Sequence, residues 1–156
     1  MTSPAPLDRA QALEVERYKF ILQQLHTVNE NVYRFLAIYQ TLATVLVGAA
    51  LALFVRYEDW KVRPEIAQVG IVAILALVTV IAGFTVLLIV VGVFSWLDYR
   101  REECELTEEA VRPGFRRAPD PRNFWRWYET WIVGFIVASI VVMWALAAVV
   151  VLPAIS

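Results

Sequence analysis

Three long apolar stretches with no internal charge constrain this chain more than any other feature. The uncharged runs extend from Phe35 to Val55, from Ile66 to Leu97 and from Trp131 to Leu152. A helix rises about 1.5 Å per residue, so about 20 apolar residues cross a hydrocarbon core of about 30 Å. The core of a soluble domain has no means of burying such runs. The sequence therefore predicts an all-α integral membrane protein with three transmembrane helices, the first and second extended into the cytoplasm.

The spans divide the chain into seven segments with different predicted surroundings. Glu129, near the start of the third span, is the only charge inside any of the spans. The predicted segments are a cytoplasmic amphipathic helix continuous with span one (1–34), span one (35–55), a short outer loop (56–65), span two (66–97), a cytoplasmic charged helix and Pro/Arg-rich loop (98–126), span three (127–152) and an outer tail (153–156).

The overall composition supports the membrane class. Hydrophobic residues make up 60% of the chain and charged residues 19%, whereas soluble domains carry about 45–50% and about 25%. No cleavable signal pattern precedes the first span. We therefore expect insertion to rely on the spans themselves.

The distribution of lysine and arginine predicts the orientation. Four lie before span one, three in the first loop, seven in the second loop and none in the tail. The N-terminus and the second loop share a side in a three-span protein, so eleven positive charges stand against three. The positive-inside rule places these eleven residues on the cytoplasmic side of the cell (inner) membrane, and the C-terminus outside.

The segment before span one has the pattern of a long amphipathic helix. Apolar residues recur at steps of three and four from Val15 to Phe35, which is typical of one helical stripe. Positions 15, 18, 22, 25, 29, 32, 36 and 39 also fit a heptad seam with Asn29 as a polar member. Packing within the protomer, pairing between protomers and lying on the membrane surface all remain open.

No catalytic, metal-binding or nucleotide-binding set emerges from the sequence, so we expect a non-enzymatic protein without a cofactor. His26 has no second histidine to complete a metal or acid–base site. Cys104, the single cysteine, excludes an internal disulfide and lies among glutamates, which disfavours a reactive thiolate. We interpret the acidic group as a solvated face; it comprises Glu102, Glu103, Glu105, Glu108 and Glu109.

A small set of polar and small residues inside the spans offers candidates for pore lining or helix packing. Small residues let helices approach closely, and polar ones form hydrogen bonds between helices or with their own backbone. Both packing within one protomer and packing between protomers fit the pattern. The candidates are Gln40, Thr41, Thr44, Gly48, Thr79, Gly83, Gly134 and Ala138.

The second loop carries the candidates for contact with anionic lipid. Juxtamembrane basic residues attract such lipids with about 1 kcal/mol each, although a topology signal alone would have the same composition. These candidates are Arg112, Arg116, Arg117, Arg122 and Arg126.

The layout of residues 8 to 110 resembles that of SLATT-type bacterial membrane effectors. An amphipathic helix with Tyr18 and Arg34 leads directly into a span, a short outer loop follows, and a second span ends in a charged extension. The third span, entered through Asn123 to Trp131, lies outside this resemblance. The resemblance implies a membrane-perturbing or pore-forming role.

The predicted function is that of a self-associating, multi-pass membrane protein, either a channel or an effector. The alternative is an accessory or scaffold subunit of a larger membrane complex. The expected partners are the lipid bilayer, anionic lipids and either further copies of the chain or another membrane protein, with no nucleic acid.

Overall fold

The computed structural model describes residues 6–112, 114–118, 120 and 125–155, and every regular element within them is helical. Helix α1 spans Pro6–Arg56, α2 spans Pro64–Ala110 and α3 spans Tyr128–Leu146. The chain continues through a π-helical turn, Ala147–Val151, into α4, Leu152–Ala154. The predicted all-α class is confirmed.

Three of these helical stretches are long and apolar enough to cross a membrane, as the sequence predicts. They are Gln11–Arg56, Pro64–Glu109 and Tyr128–Ala154. The number of apolar helices therefore agrees with a multi-pass membrane protein.

A tight turn joins α1 to α2. The backbone N–H of Trp60 donates to the Arg56 carbonyl at 3.0 Å, and that of Val62 donates to the Tyr57 carbonyl at 2.8 Å. Lys61 closes the turn in the left-handed region, with φ of 54°. Pro64 is the first residue of α2. The N–H groups of a first helical turn have no partner within the helix, so the N–H that proline lacks costs no hydrogen bond.

The described residues divide into two compact units. One lies within Met1–Tyr33 and Val90–Phe124, and the other within Arg34–Ile89 and Trp125–Ser156. We call them the charged unit and the apolar unit.

In the charged unit, the first half of α1 packs against the second half of α2. Ile21, Leu25 and Val32 are buried on α1, and a Cβ at Gly92 would lie 3.7 Å from Val32 Cγ2. Of the heptad positions, Leu25 and Val32 are buried in this unit, whereas Val15 and Asn29 are exposed. The buried stripe instead follows the ordinary helical period through Ile21.

In the apolar unit, α1, α2 and the end of the chain share a core. Its fully buried members are Ala67, Ile71, Leu75, Ala147 and Ile155. A Cβ at Gly70 would come within 2.9 Å of Leu53 Cδ2, so a larger residue at position 70 would require the Leu53 side chain to move.

Three side-chain hydrogen bonds connect α2 to α3 and to the helical segments that follow α3 in the apolar unit. Gln68 Nε2 donates to the carbonyls of Ile155 at 2.7 Å and Leu152 at 3.2 Å. Trp144 Nε1 donates to Thr79 Oγ1 at 3.0 Å. The last carbonyls of a helix have no partner of their own, so Gln68 caps the end of the third apolar helix.

Replacing Gln68 with leucine is expected to destabilise the protein by about 1–2 kcal/mol. The Ile155 carbonyl loses the Gln68 donor, and the Leu152 carbonyl keeps only the Ile155 N–H at 3.4 Å. The measurement is unfolding in mixed micelles with rising SDS content. Val69→Leu is the matched control, since the neighbouring side chain is exposed and should leave the transition unchanged. Equal stability of the two variants would contradict the capping role.

The Trp144–Thr79 bond is expected to give a coupling energy of about 0.6 kcal/mol, with an upper range near 1.7 kcal/mol. The measurement is a double-mutant cycle with Trp144→Phe and Thr79→Val in the same unfolding assay. Strictly additive effects would show that the two side chains do not interact.

Candidate functional site

Three polar or small residues of α1 form one exposed stripe in the apolar unit. Gln40, Thr44 and Gly48 are all exposed, and their spacing of four places them on one helix face. We call them the polar stripe. It borders the buried face of α1, on which Tyr39 and Ala50 lie.

The polar stripe lines one side of a groove between α1 and α3. The groove has a volume of about 490 Å³, and α3 contributes Ser139 and Met143 to it. The Ser139 hydroxyl donates to the carbonyl of Phe135 in its own helix at 2.8 Å. The groove is therefore open between two apolar helices and carries polar groups mainly on its α1 side.

The polar groups of α1 differ in how their hydrogen bonds are satisfied. Thr41 donates to the Ala37 carbonyl of its own helix at 2.9 Å. The side chains of Gln40 and Thr44 make no hydrogen bond within the part of the chain that the structure describes. An unsatisfied polar group in hydrocarbon costs several kcal/mol, so these two side chains require a partner or water.

The remaining candidates within the spans do not line this groove. Thr79 accepts a hydrogen bond from Trp144, and Ala138 is exposed. A Cβ built at Gly48, Gly83 or Gly134 would meet no described atom within 4 Å. These three glycines therefore leave open surface and do not mediate packing within the protomer.

Gly70 and Gly92 are the two glycines at which a Cβ would contact the neighbouring helix, tightly at Gly70 and at ordinary van der Waals distance at Gly92. The sequence analysis did not single out Gly70. Each lies in α2 against α1, in the apolar and the charged unit respectively. A glycine in an apolar helix does not by itself reveal which face of the helix meets a neighbour. Only the tertiary structure distinguishes Gly70 and Gly92 from the glycines that face open space.

The charged unit contains a buried carboxylate, which corrects the interpretation of the acidic group as a solvated face. Glu103 is fully buried, whereas Glu105, Glu108 and Glu109 are exposed. It forms an ion pair with Arg100 one turn earlier in α2. Glu103 lies where α1 packs against α2, and this packing shields its side chain from water.

A second arginine reaches Glu103 from the loop after α2. Arg116 Nε lies 3.2 Å from Glu103 Oε1, and neither atom makes a hydrogen bond among the described residues, so this contact is electrostatic. A hydrogen bond with Tyr18, followed by the charge of Glu103, raises the pKa of Arg116. Arg116 thus connects the loop to both helices of the unit.

The remaining loop arginines are placed differently. Arg112, Arg117 and Arg126 are exposed, and Arg122 lies outside the described residues. Arg17 of α1 reaches across to Glu102 of α2 at 2.6 Å. Arg116 thus differs from the exposed arginines in being held within the unit.

Neither a family nor a relative identifies the chain. Comparison with protein families, curated proteins and solved structures gives no match. No group of three or more His, Cys, Asp or Glu side chains that could hold a metal ion occurs among the described residues. The functional argument therefore depends on the geometry of the two units.

Replacing Arg116 with alanine is expected to loosen the loop, because Glu103 and Tyr18 both lose a partner. Trypsin should then cleave after Arg117 severalfold faster than in the wild type. Arg112→Ala is the matched control, since it removes an exposed arginine of the same loop. Unchanged cleavage after Arg117 in Arg116→Ala would show that Arg116 does not hold the loop.

Proposed function

We propose that this protein is a non-enzymatic, multi-pass membrane protein that self-associates through the polar stripe and acts as a channel or membrane effector. The observation that carries the proposal is the exposure of Gln40 and Thr44, without hydrogen-bond partners among the described residues, on a helix apolar enough to cross a bilayer.

A second copy of the chain satisfies the polar stripe better than lipid does. A glutamine amide both donates and accepts hydrogen bonds, so the same face on another copy is complementary to it. Gly48 leaves the surface beside it open, which permits close approach of two helices. Lipid tails offer no hydrogen bond at all.

A channel follows if several copies close into a ring around this face. Most homo-oligomers have closed symmetry, and a ring of α1 helices would turn Gln40 and Thr44 toward a common axis. These amide and hydroxyl groups would replace part of the water around a solute in the pore.

The proposed placement puts the charged unit in the cytoplasm. Arg112, Arg117 and Arg126, exposed in or after the loop, supply positive charge on that side, where anionic lipids attract it. The Tyr57–Arg63 turn then lies outside the cell.

Disulfide crosslinking in native membranes tests the interface directly. In a Cys104→Ala background, Thr44→Cys is expected to form a crosslinked dimer under mild oxidation. Leu42→Cys is the matched control, because Leu42 is exposed on a different face of α1 and should remain monomeric. Equal crosslinking at both positions would indicate random collision and would contradict the interface.

Conductance in a planar bilayer tests the channel. Gln40→Leu is expected to reduce the current about tenfold, since losing a polar contact of about 1.4 kcal/mol raises the barrier by that factor. Gln40→Asn keeps the amide and serves as the control. A discrete oligomer with unchanged currents in Gln40→Leu would remove α1 from the pore.

The accessory or scaffold alternative gives a different result in both assays. A stoichiometric foreign membrane protein would then be recovered with the chain in mild detergent. The purified chain alone would be a monomer and would carry no current.

A further inference from the structure

A cavity without polar side chains opens into the core of the apolar unit. It lies beside the groove of the polar stripe, with which it shares Val47, Leu51 and Met143. Its volume is about 160 Å³, and the last two turns of α1, the first half of α2 and the end of the third apolar helix all contribute to it. Its lining includes Ala50, Phe54, Ile71, Leu75, Met143 and Ala147.

The floor of the cavity belongs to the core, whereas its rim is exposed. Ala50, Ile71 and Ala147 are at most 8% exposed, but Leu51 and Leu146 at the rim are each 54% exposed. The cavity therefore continues from the buried core to the outer surface of three apolar helices.

Two features of the sequence leave this space unfilled. Alanine occupies both position 50 of α1 and position 147, so two walls lack a larger side chain. Ala147 also begins the π-helical turn Ala147–Val151, and such turns inside helices are frequent at functional sites.

The chemistry of the lining selects the occupant. An apolar cavity of about 150 Å³ in another protein stays dry and takes up benzene or xenon. Water would find no partners here, because the lining offers almost no polar surface. In a bilayer, the abundant molecule that reaches a lateral opening of this kind is a lipid acyl chain.

We propose that this cavity is a binding site for a segment of a phospholipid acyl chain, which enters between the exposed rims and fills the gap beside Ala50 and Ala147. The site lies in the half of the bilayer nearer the Tyr57–Arg63 turn. It rests on the membrane insertion proposed above and does not depend on self-association.

Photolabelling identifies the occupant. The probe is a phosphatidylcholine with a diazirine within its acyl chain, present in phosphatidylcholine vesicles that carry the purified protein. Mass spectrometry of the labelled peptides is expected to find adducts concentrated on Met143 to Val151 and severalfold fewer on the exposed face of Val137 and Val141. Even labelling of both regions would overturn the proposal.

A variant with a larger side chain in the cavity tests the same site, because it leaves less room for the acyl chain. Ala50→Leu is expected to reduce labelling of Met143 to Val151 severalfold, while Ala52→Leu, at an exposed position that does not line the cavity, leaves it unchanged. Circular dichroism and gel filtration check that both variants fold. If Ala50→Leu does not fold, competition with excess unlabelled lipid should lower the labelling of the wild type, and a failure to compete would also overturn the proposal.

Two further readouts separate this site from the proposed function. Flotation of the vesicles reports whether the protein inserts, and light scattering reports its oligomeric mass. Protection of Met143 to Val151 from the probe, together with a change of oligomeric mass in Ala50→Leu, would assign the cavity to a second copy and overturn the lipid site.

Discussion

The need to satisfy hydrogen-bonding groups in apolar surroundings governs the structure of this protein. Helices meet that need for the backbone because each N–H and carbonyl finds its partner within the same segment. Three threonines in the apolar helices follow the same rule, since Thr41, Thr79 and Thr85 each donate to the carbonyl four residues earlier. The long helices, with few irregular residues between α1 and α2, are the direct consequence.

Where a helix ends, the same requirement produces tertiary contacts. Beyond the π-helical turn, Gln68 of another helix donates to the carbonyls of Leu152 and Ile155, and the Leu152 carbonyl also accepts the Ile155 N–H. Against this background the polar stripe stands out, because Gln40 and Thr44 lie exposed on an apolar helix without such partners among the described residues. A group that the protomer leaves unsatisfied in hydrocarbon indicates a contact outside the protomer, and this is the physical basis of the proposed self-association.

In the charged unit, the feature that requires compensation is a buried carboxylate. Glu103 is buried against two arginines, and burying a carboxylate is tolerable only when opposite charges compensate it. One of these charges, Arg100, comes from its own helix and the other, Arg116, from the loop, where Tyr18 also contacts it. Arg112 and Arg117 of the same loop are exposed and are the residues proposed to contact anionic lipid.

The sequence by itself determined the all-α class, the three apolar helices and the amphipathic character of the segment before Phe35, because hydrophobic length and period act locally along a helix. It also marked Gln40, Thr44 and Gly48 as unusual in their helix. Only the tertiary structure decided that Glu103 is buried while Glu105 is exposed. It also decided that Gly70 and Gly92 face α1 while Gly83 and Gly134 face open space, and that Gln68 donates to the carbonyls of Leu152 and Ile155. The cavity beside Ala50 and Ala147 also emerged only from the structure. Each of these features depends on which face of one helix meets which face of another, and residues far apart in the chain jointly set that register.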